Sequence, residues 1–450
     1  VVPVGTVNGE HAPDALPALN DGGLVTIPSN RAAKIWISVD AHNSQPGTYQ
    51  GRIFITPLYR ETEPIELTLN IEVLDLKIPQ EFPLTVCTWD YLPNATIPES
   101  VVSEALDDIA KHGVNVFPRP GGMPIARVDS NDRLIFDWSP LDVDLKRLDG
   151  KGIILFHSTH PPIQFESTPA KEKKRKIEIE YFRAFRDYLK DHGWDYDKYG
   201  FYPVDEPGLD HGKRVPGLVE IAELYREADP KFRVYTDPVP FLSWRDFERI
   251  EPLIDIWCPN MRLVSAKLSG DPRIERTLKS KGTLWSYECI SQVKSLTPLG
   301  YNRANSWRAK YFGLKGIGFW NHSSSPADIW FPGKTMNDEY ALVYPGGASV
   351  PSVRWEALRD GLEDMAAVEL LKQRIDTNKQ SRTKEELSEQ AENAIRIAFI
   401  DVMELSNLVF MESRDFLRWG DRRQWHTWTD VEMFQRHRSL IADMTLQLEK

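Results

Sequence analysis

The sequence predicts a multidomain α/β protein: an N-terminal β-sandwich, a central (β/α)8 barrel and C-terminal helices. Three observations carry that expectation. A length of 450 residues is too great for one ordinary hydrophobic core, so two or three domains are expected. Between residues 84 and 372, apolar strand-like runs alternate with helical ones eight times, as in a barrel with insertions. Before residue 80 the apolar residues alternate with period two, and beyond 380 they recur at helical spacing. The expected domains are 1–80 for the sandwich, 81–375 for the barrel and 376–450 for the helical extension.

In the first domain, Leu24–Ile27, Ala33–Val39, Gly51–Thr56 and Ile65–Val73 alternate apolar and polar residues, with Pro/Gly/Asn turns such as Gln45-Pro46-Gly47 between them. That pattern fits half-buried antiparallel strands. The barrel units then follow in order. Leu84–Asp90 precedes a helix near Val101 to His112, and Val114–Pro118 precedes Leu141 to Leu148. Gly152–His157 precedes Ile177 to Lys190, and Phe201–Asp205 precedes Pro216 to Ala228. Phe232–Asp237 leads to Trp244 to Ile250, and Asp255–Asn260 to Pro272 to Lys279. Thr283–Glu288 leads to Asn302 to Leu314, and Gly316–Asn321, after a long loop, to Val353 to Lys372. Near-continuous apolar strands fit a parallel sheet covered on both faces; a doubly wound open sheet is the alternative. Beyond 380, Ile395, Phe399, Val402, Met403 and Val409 predict packing helices, with the Trp425-to-Trp428 turn between them.

Composition narrows the function. Apolar content of 41% with mixed charge is that of a globular protein. A net charge of −11 with no basic stripe argues against nucleic acid as a partner. The basic run Lys171 to Lys176 falls at the start of a predicted helix and reads as a solvated face. No apolar run approaches a membrane span. Three cysteines, Cys87, Cys258 and Cys289, are too few for a disulfide framework and sit in apolar runs, as buried thiols do. No signal peptide is evident in a chain opening at Val1; export to the periplasm or outside, with the signal segment absent, is expected, and a cytoplasmic location is the alternative.

The stretch that carries chemistry is Tyr202-Pro203-Val204-Asp205-Glu206-Pro207-Gly208. An aromatic strand ends in two adjacent carboxylates, and Pro207 and Gly208 stop it. In barrels the chemistry lies at the C-terminal strand ends. Here those ends read Trp89-Asp90, Arg119, His157, Asp205-Glu206, Asp237, Asn260, Tyr287-Glu288 and Trp320-Asn321, with Trp285 earlier on strand seven. His157 and His160 are spaced H-x-x-H without a third ligand, so no metal is expected. Neither a G-x-G-x-x-G motif nor a phosphate-binding loop occurs, so no cofactor is expected; a nucleophile elbow is also lacking.

Carboxylates among stacking aromatics suit cleavage of a glycosidic bond, whose oxocarbenium-like transition state needs a proton donor and a nucleophile or negative charge. Two schemes fit. In one, Glu206 is the acid/base and Asp205 orients a substrate 2-acetamido group that itself attacks. In the other, Glu206 is the acid/base and Glu288 the enzymic nucleophile, about 5 Å away on an opposed strand end. A carbohydrate-binding protein without catalysis is a third possibility. Tyr202, Trp89, Trp285, Trp320, Tyr287, Asn260, Asp237 and His157 are candidates for substrate binding. Each has a plainer alternative: Trp285 and Trp320 as core, Asp237 as a helix cap, Arg354 and Glu356 as a pair that ties the last helix down.

The run Phe201–Pro207 resembles the catalytic region of glycoside hydrolase family 123, as do Tyr344-Pro345-Gly346 and Val353–Asp364. The Pro46–Gly51 hairpin resembles that family's sandwich domain. The resemblance covers most of the chain and implies a β-N-acetylgalactosaminidase with substrate-assisted retention. It implies that Asp205 orients the acetamido group and Glu206 is the acid/base, with Tyr287 as the aromatic hydroxyl that holds the acetamido carbonyl. A strand-seven glutamate such as Glu288 is not part of the family pattern and keeps the second scheme open.

Overall fold

The computed structural model describes all residues except 7–10, 20–22, 28, 31, 42, 59–62, 80, 158–159, 240–241, 262–263, 265–271, 282, 289–293, 295–298, 325–327, 332–338, 383, 417–431 and 450, and the backbone alone at 274, 278–281 and 405–416. It falls into two compact units. The first joins Val1–Val25, Glu81–Met365 and Phe399–Val431; the second joins Thr26–Gln80, Ala366–Ala398 and Glu432–Lys450.

The strands, in chain order, are β1 (Val2–Gly5), β2 (His11–Ala15), β3 (Gly47–Ile55), β4 (Ile65–Val73), β5 (Thr85–Thr88), β6 (Val116–Pro120), β7 (Ile125–Val128), β8 (Leu134–Asp137), β9 (Ile153–His157), β10 (Ile163–Gln164), β11 (Tyr199–Tyr202), β12 (Tyr235–Thr236), β13 (Ile256–Trp257), β14 (Trp285–Glu288), β15 (Gly316–Phe319), β16 (Val343–Tyr344) and β17 (Val350–Pro351). The barrel helices are α1 (Val102–Lys111), α2 (Ser139–Leu148), α3 (Lys171–Asp191), α4 (Val215–Ala228), α5 (Trp244–Ile250), α6 (Pro272–Lys281), α7 (Ala304–Tyr311) and α8 (Val353–Gln380), followed by α9 (Glu385–Phe416) and α10 (Met433–Glu449).

Strands β5, β6, β9, β11, β12, β13, β14 and β15 close a parallel barrel, each followed by one of helices α1 to α8. Parallel ladders run β14–β15–β5–β6–β9–β11 and β12–β13. Parallel bridges Phe201↔Val234, Trp257↔Leu284 and Asn260↔Tyr287 complete the ring. The interior is filled by Cys87, Trp89, Val116, Leu155, Tyr202, Tyr235, Ile256, Cys258, Trp285 and Tyr287. Strand eight makes room for two of the indoles. A Cβ on Gly316 would come within 2.6 Å of the Trp285 ring, and one on Gly318 within 2.8 Å of Trp89. The predicted helices are all present, and most limits agree to within a few residues. The hairpin β7–β8, extended by β10, is an addition: it rises from the loops after the second and third barrel strands, on the face where those strands end.

In place of the expected sandwich, the described residues before 80 form two separate two-stranded antiparallel sheets. Hairpin β3–β4 pairs Gly47 with Val73 through Ile55 with Ile65. The other two expected strands, Leu24–Ile27 and Ala33–Val39, form none among the described residues, and Leu24, Ile27, Ile35 and Ile37 are exposed. Alternation marks a segment that can be a strand; pairing needs a neighbouring edge, which a hairpin supplies locally and a sandwich must draw from elsewhere.

Hairpin β1–β2 belongs to the barrel unit. Buried Asp14 accepts from Tyr344 Oη and from Arg354 Nη2 at 2.8 Å, and Arg354 also donates to the carbonyls of Glu339 and Ala341. Arg354 therefore does not pair with Glu356, which instead meets Arg359 and, at 3.5 Å, His112. Asp364 takes Arg303 in two hydrogen bonds, and Trp355 donates to Asp108. The late motif thus anchors α8. Beyond 380, Ile395, Val402 and Met403 are buried; the side chain of Val409 and the Trp425-to-Trp428 turn lie outside the described residues. Among the described residues no helix is long and apolar enough to cross a membrane.

Candidate active site

Strand β11 is buried throughout, its rings packed on Phe156, Phe182, Tyr225 and Phe232. That packing fixes where the strand ends. Adjacent residues of a regular strand point to opposite faces, and the chain escapes this at Glu206, whose φ is +43°. A left-handed conformation in a non-glycine residue costs about 1–3 kcal/mol and persists only when neighbours impose it. Here the Glu206 N–H donates to Asp237 Oδ1 at 3.1 Å, and the Glu206 carbonyl accepts from Leu209 N at 2.9 Å. Gly208 then passes close under the next loop, where a Cβ would lie 2.8 Å from Leu242 N.

Around this turn the barrel mouth gathers acids and hydroxyls. Tyr202 Oη lies between two carboxyl groups, 2.6 Å from Asp205 Oδ1 and in short contact with Asp237 Oδ2. Arg214 donates to the Asp205 carbonyl at 2.8 Å and lies 3.7 Å from its Oδ2. From across the barrel, Tyr287 Oη donates to Glu206 Oε1. His157 stacks on Tyr202 with ring centroids 4.2 Å apart.

The electrostatics separate these groups. Burial raises the pKa of Glu206; the Tyr287 hydrogen bond pulls it back, and the charge of Asp205 pushes it up again. Burial, then the charge of Asp205, raises Asp237 well above the usual carboxylate range. Burial lowers His157 and so favours its neutral form. Burial and the charges of Asp205 and Asp237 also raise the half-buried phenol of Tyr91. The arrangement sets a half-buried carboxyl with a raised pKa, Glu206, beside Asp205, whose side chain is 54% exposed.

The other expected residues divide. Trp89, Trp285 and Tyr202 are interior packing; Trp89 meets Tyr287 edge-on at 5.4 Å. Trp320 is half-buried against the same interior and edge-on to Tyr340. Asp237 lies beneath the pair and caps no helix; Ser243 caps α5. Asn260 is buried and bridges Tyr287 through the backbone. Glu288 follows Tyr287 on β14, so it faces away from the mouth; it is buried, and its charge acts on Arg308 of α7. Arg119 is held by Asp144 at 2.7 Å and by the Leu92 carbonyl. Asp90 is fully engaged by His322, Ser323 and Ser324; burial opposes its charge, but those hydrogen bonds outweigh it and lower the pKa. His160 lies 3.7 Å from Glu178, apart from the His157 stack. Among the described residues no three His, Cys, Asp or Glu side chains are grouped to hold a metal ion. Cys87 and Cys258 are buried; Cys289 lies outside the described residues.

Sequence reasoning missed Arg214 and Tyr91. Nothing local marks either one: Arg214 arrives through the turn that follows Gly208, and Tyr91 through the loop after strand one.

Three comparisons bear on identity. No curated protein matches the chain. Among solved structures, a family 39 glycoside hydrolase from the gut symbiont Bacteroides cellulosilyticus is 11% identical, with a TM-score of 0.41 and coverage of 71% of each chain. A β-galactosidase from the Antarctic haloarchaeon Halorubrum lacusprofundi is 12% identical, with a TM-score of 0.41 and coverage of 63% of this chain and 58% of that one. A xylanase from Cellvibrio japonicus is 11% identical, with a TM-score of 0.43 and coverage of 64% and 68%. The barrel itself rests on the strand pairing described above. Residues 157–371, from barrel strand three into α8 and including Asp205, Glu206, Asp237 and Tyr287, match the catalytic domain of glycoside hydrolase 123. The chain is therefore a glycoside hydrolase, acting on a carbohydrate, whose residues 157–371 match the catalytic domain of glycoside hydrolase 123.

Proposed function

We propose that the protein is a retaining hydrolase of β-linked N-acetylhexosaminides, N-acetylgalactosaminides first, that works by substrate assistance. Glu206 is the general acid and then the general base. Asp205 receives the acetamido N–H and stabilises the positive charge of the oxazoline that forms when the acetamido oxygen attacks the anomeric carbon. The leaving oxygen takes its proton from Glu206; water, deprotonated by Glu206, then opens the oxazoline.

The observation that carries this reading is the pairing of a half-buried acid, raised by its surroundings, with a neighbouring carboxylate whose Oδ2 faces solvent. Divided environments of this kind assign acid and stabiliser roles. Support comes also from Glu288, whose position toward Arg308 leaves it poorly placed as a nucleophile. Tyr287 holds Glu206 in the free enzyme; on binding it turns to the acetamido carbonyl.

The test is a thiazoline mimic of the oxazoline, which should inhibit competitively and far more tightly than the parent sugar, as ligands resembling a transition state do. Weak inhibition, with covalent labelling of Glu288 by a 2-fluoro sugar, would transfer the nucleophile to the enzyme.

A further inference from the structure

Tyr202 Oη lies within hydrogen-bond distance of Asp205 Oδ1 and of Asp237 Oδ2. A phenol has one proton to donate. Two ionised carboxylates would leave one of these contacts as oxygen against oxygen with no hydrogen between them, at a cost that burial makes larger. A second proton must therefore reside in the triad, on Asp205 or on Asp237. Asp205 is half-exposed and 3.7 Å from the Arg214 guanidinium, so both water and a cation reach it. Asp237 is 2% exposed, and among the described residues its partners and neighbours, Tyr202, Asp205, Glu206, Tyr91, Tyr235, Cys87 and Cys258, include no cation.

We propose that Asp237 is a neutral carboxylic acid and a positioning residue. It donates its proton to the Tyr202 oxygen, Tyr202 donates to Asp205 Oδ1, and Asp237 Oδ1 accepts the Glu206 N–H. One buried acid thus fixes both functional carboxylates. It turns Asp205 so that Oδ2 is the oxygen left for a substrate N–H, and it holds the backbone of Glu206 in its left-handed conformation. Burial, which pushes the Asp237 carboxyl up, acts in the same sense. Neutrality also spares the site a second buried negative charge beside Asp205 and Glu206. The role extends the mechanism proposed above and rests on it for its catalytic meaning; the protonation state does not.

Infrared spectroscopy of the resting enzyme at pH 7.5 tests it. The difference between wild type and Asp237→Asn should show the loss of one protonated-carboxyl band. That band should persist in Glu206→Gln and change frequency in Tyr202→Phe. A difference spectrum containing carboxylate bands alone would overturn the proposal, as would a band that disappears in Glu206→Gln instead. A kinetic arm uses an activated aryl 2-acetamido glycoside. Asn keeps the donor to Tyr202 and the acceptor for Glu206, so Asp237→Asn should lower kcat by about 10-fold or less, against ~10²-fold or more for Asp237→Ala, with KM little changed in both. Equal losses would contradict a neutral donor. If the wild type cleaves no such glycoside while the infrared band is found, the substrate reading fails and the assignment of Asp237 survives.

Discussion

Two clusters in this chain are built from the same parts. Asp14 meets Tyr344 and Arg354; Asp205 meets Tyr202 and Arg214. In the first cluster the side chains of the ion pair are 1–2% exposed and 2.8 Å apart, and two further guanidinium hydrogens go to the backbone carbonyls of Glu339 and Ala341. In the second they are 39% and 54% exposed and 3.7 Å apart, and two more acids, Glu206 and Asp237, crowd in without matching cations. The first cluster is electrically closed and holds β1–β2 to the start of α8. The second gathers more acids than cations at the mouth of the barrel. A buried, saturated ion pair says little about chemistry, whereas acids gathered in excess, two of them with pKa values pushed up, mark a place where charge and protons move.

The largest effect should come from opening the closed cluster. Arg354→Ala leaves Asp14 buried without its cation and should cost about 3–5 kcal/mol of stability in chemical denaturation, with little change in turnover per folded molecule. Arg214→Ala, at the exposed pair, should cost no more than about 1 kcal/mol. If Arg354→Ala spared stability and removed activity, the contrast between the clusters would be wrong.

Next comes loss of the proposed proton donor. Glu206→Gln should reduce turnover by at least ~10²-fold on substrates with poor leaving groups and less on activated aryl glycosides, measured as kcat for the two classes. The wild-type rate should follow a bell in pH. Its alkaline limb should reflect Glu206, displaced upward from the ordinary glutamate value by burial and by Asp205. Equal loss on both substrate classes would remove Glu206 from the acid role.

The two remaining acids sharpen the comparison. Asp205→Asn keeps shape and loses charge, so turnover should fall by at least ~10²-fold. Glu288→Gln should change turnover far less and appear mainly in thermal stability, because its surroundings are the buried side of α7.

The smallest effect lies away from both clusters. His112, buried between Asp108 and Glu356, has its pKa raised to about 9; burial opposes the charge, but the two carboxylates outweigh it. A value raised above the ordinary 6.5 stabilises the fold fully below pH 6.5, and that contribution is lost as pH rises through about 9. The melting temperature should fall across that window, and the fall should be blunted in His112→Gln.

Much of this was legible in the sequence, for identifiable reasons. Barrel strands are apolar on both faces and their helices carry strong periodicity, so eight units could be counted and their ends aligned. Asp205 and Glu206 stood out because Pro207 and Gly208 end the strand beside them. Among the described residues the sandwich is not formed, because period two at Leu24–Ile27 and Ala33–Val39 carries no information about a partner edge. The direction of Glu288 was implicit in its adjacency to Tyr287: two neighbours on one strand cannot both face the mouth unless the backbone turns, as it does at Glu206 and not at Glu288. Arg214, Tyr91 and the buried role of Asp237 depend on tertiary proximity and leave no local mark.

The central claim is that the substrate's own acetamido group, held by Asp205, is the nucleophile. Paired assays of aryl 2-acetamido-2-deoxy-β-galactoside and the matching 2-hydroxy β-galactoside, with identical leaving groups, test it most directly. The account predicts turnover of the first and, for the second, a rate lower by at least ~10²-fold, because the nucleophile is missing. Comparable turnover of the 2-hydroxy sugar, with a glycosyl adduct on Glu288, would contradict it.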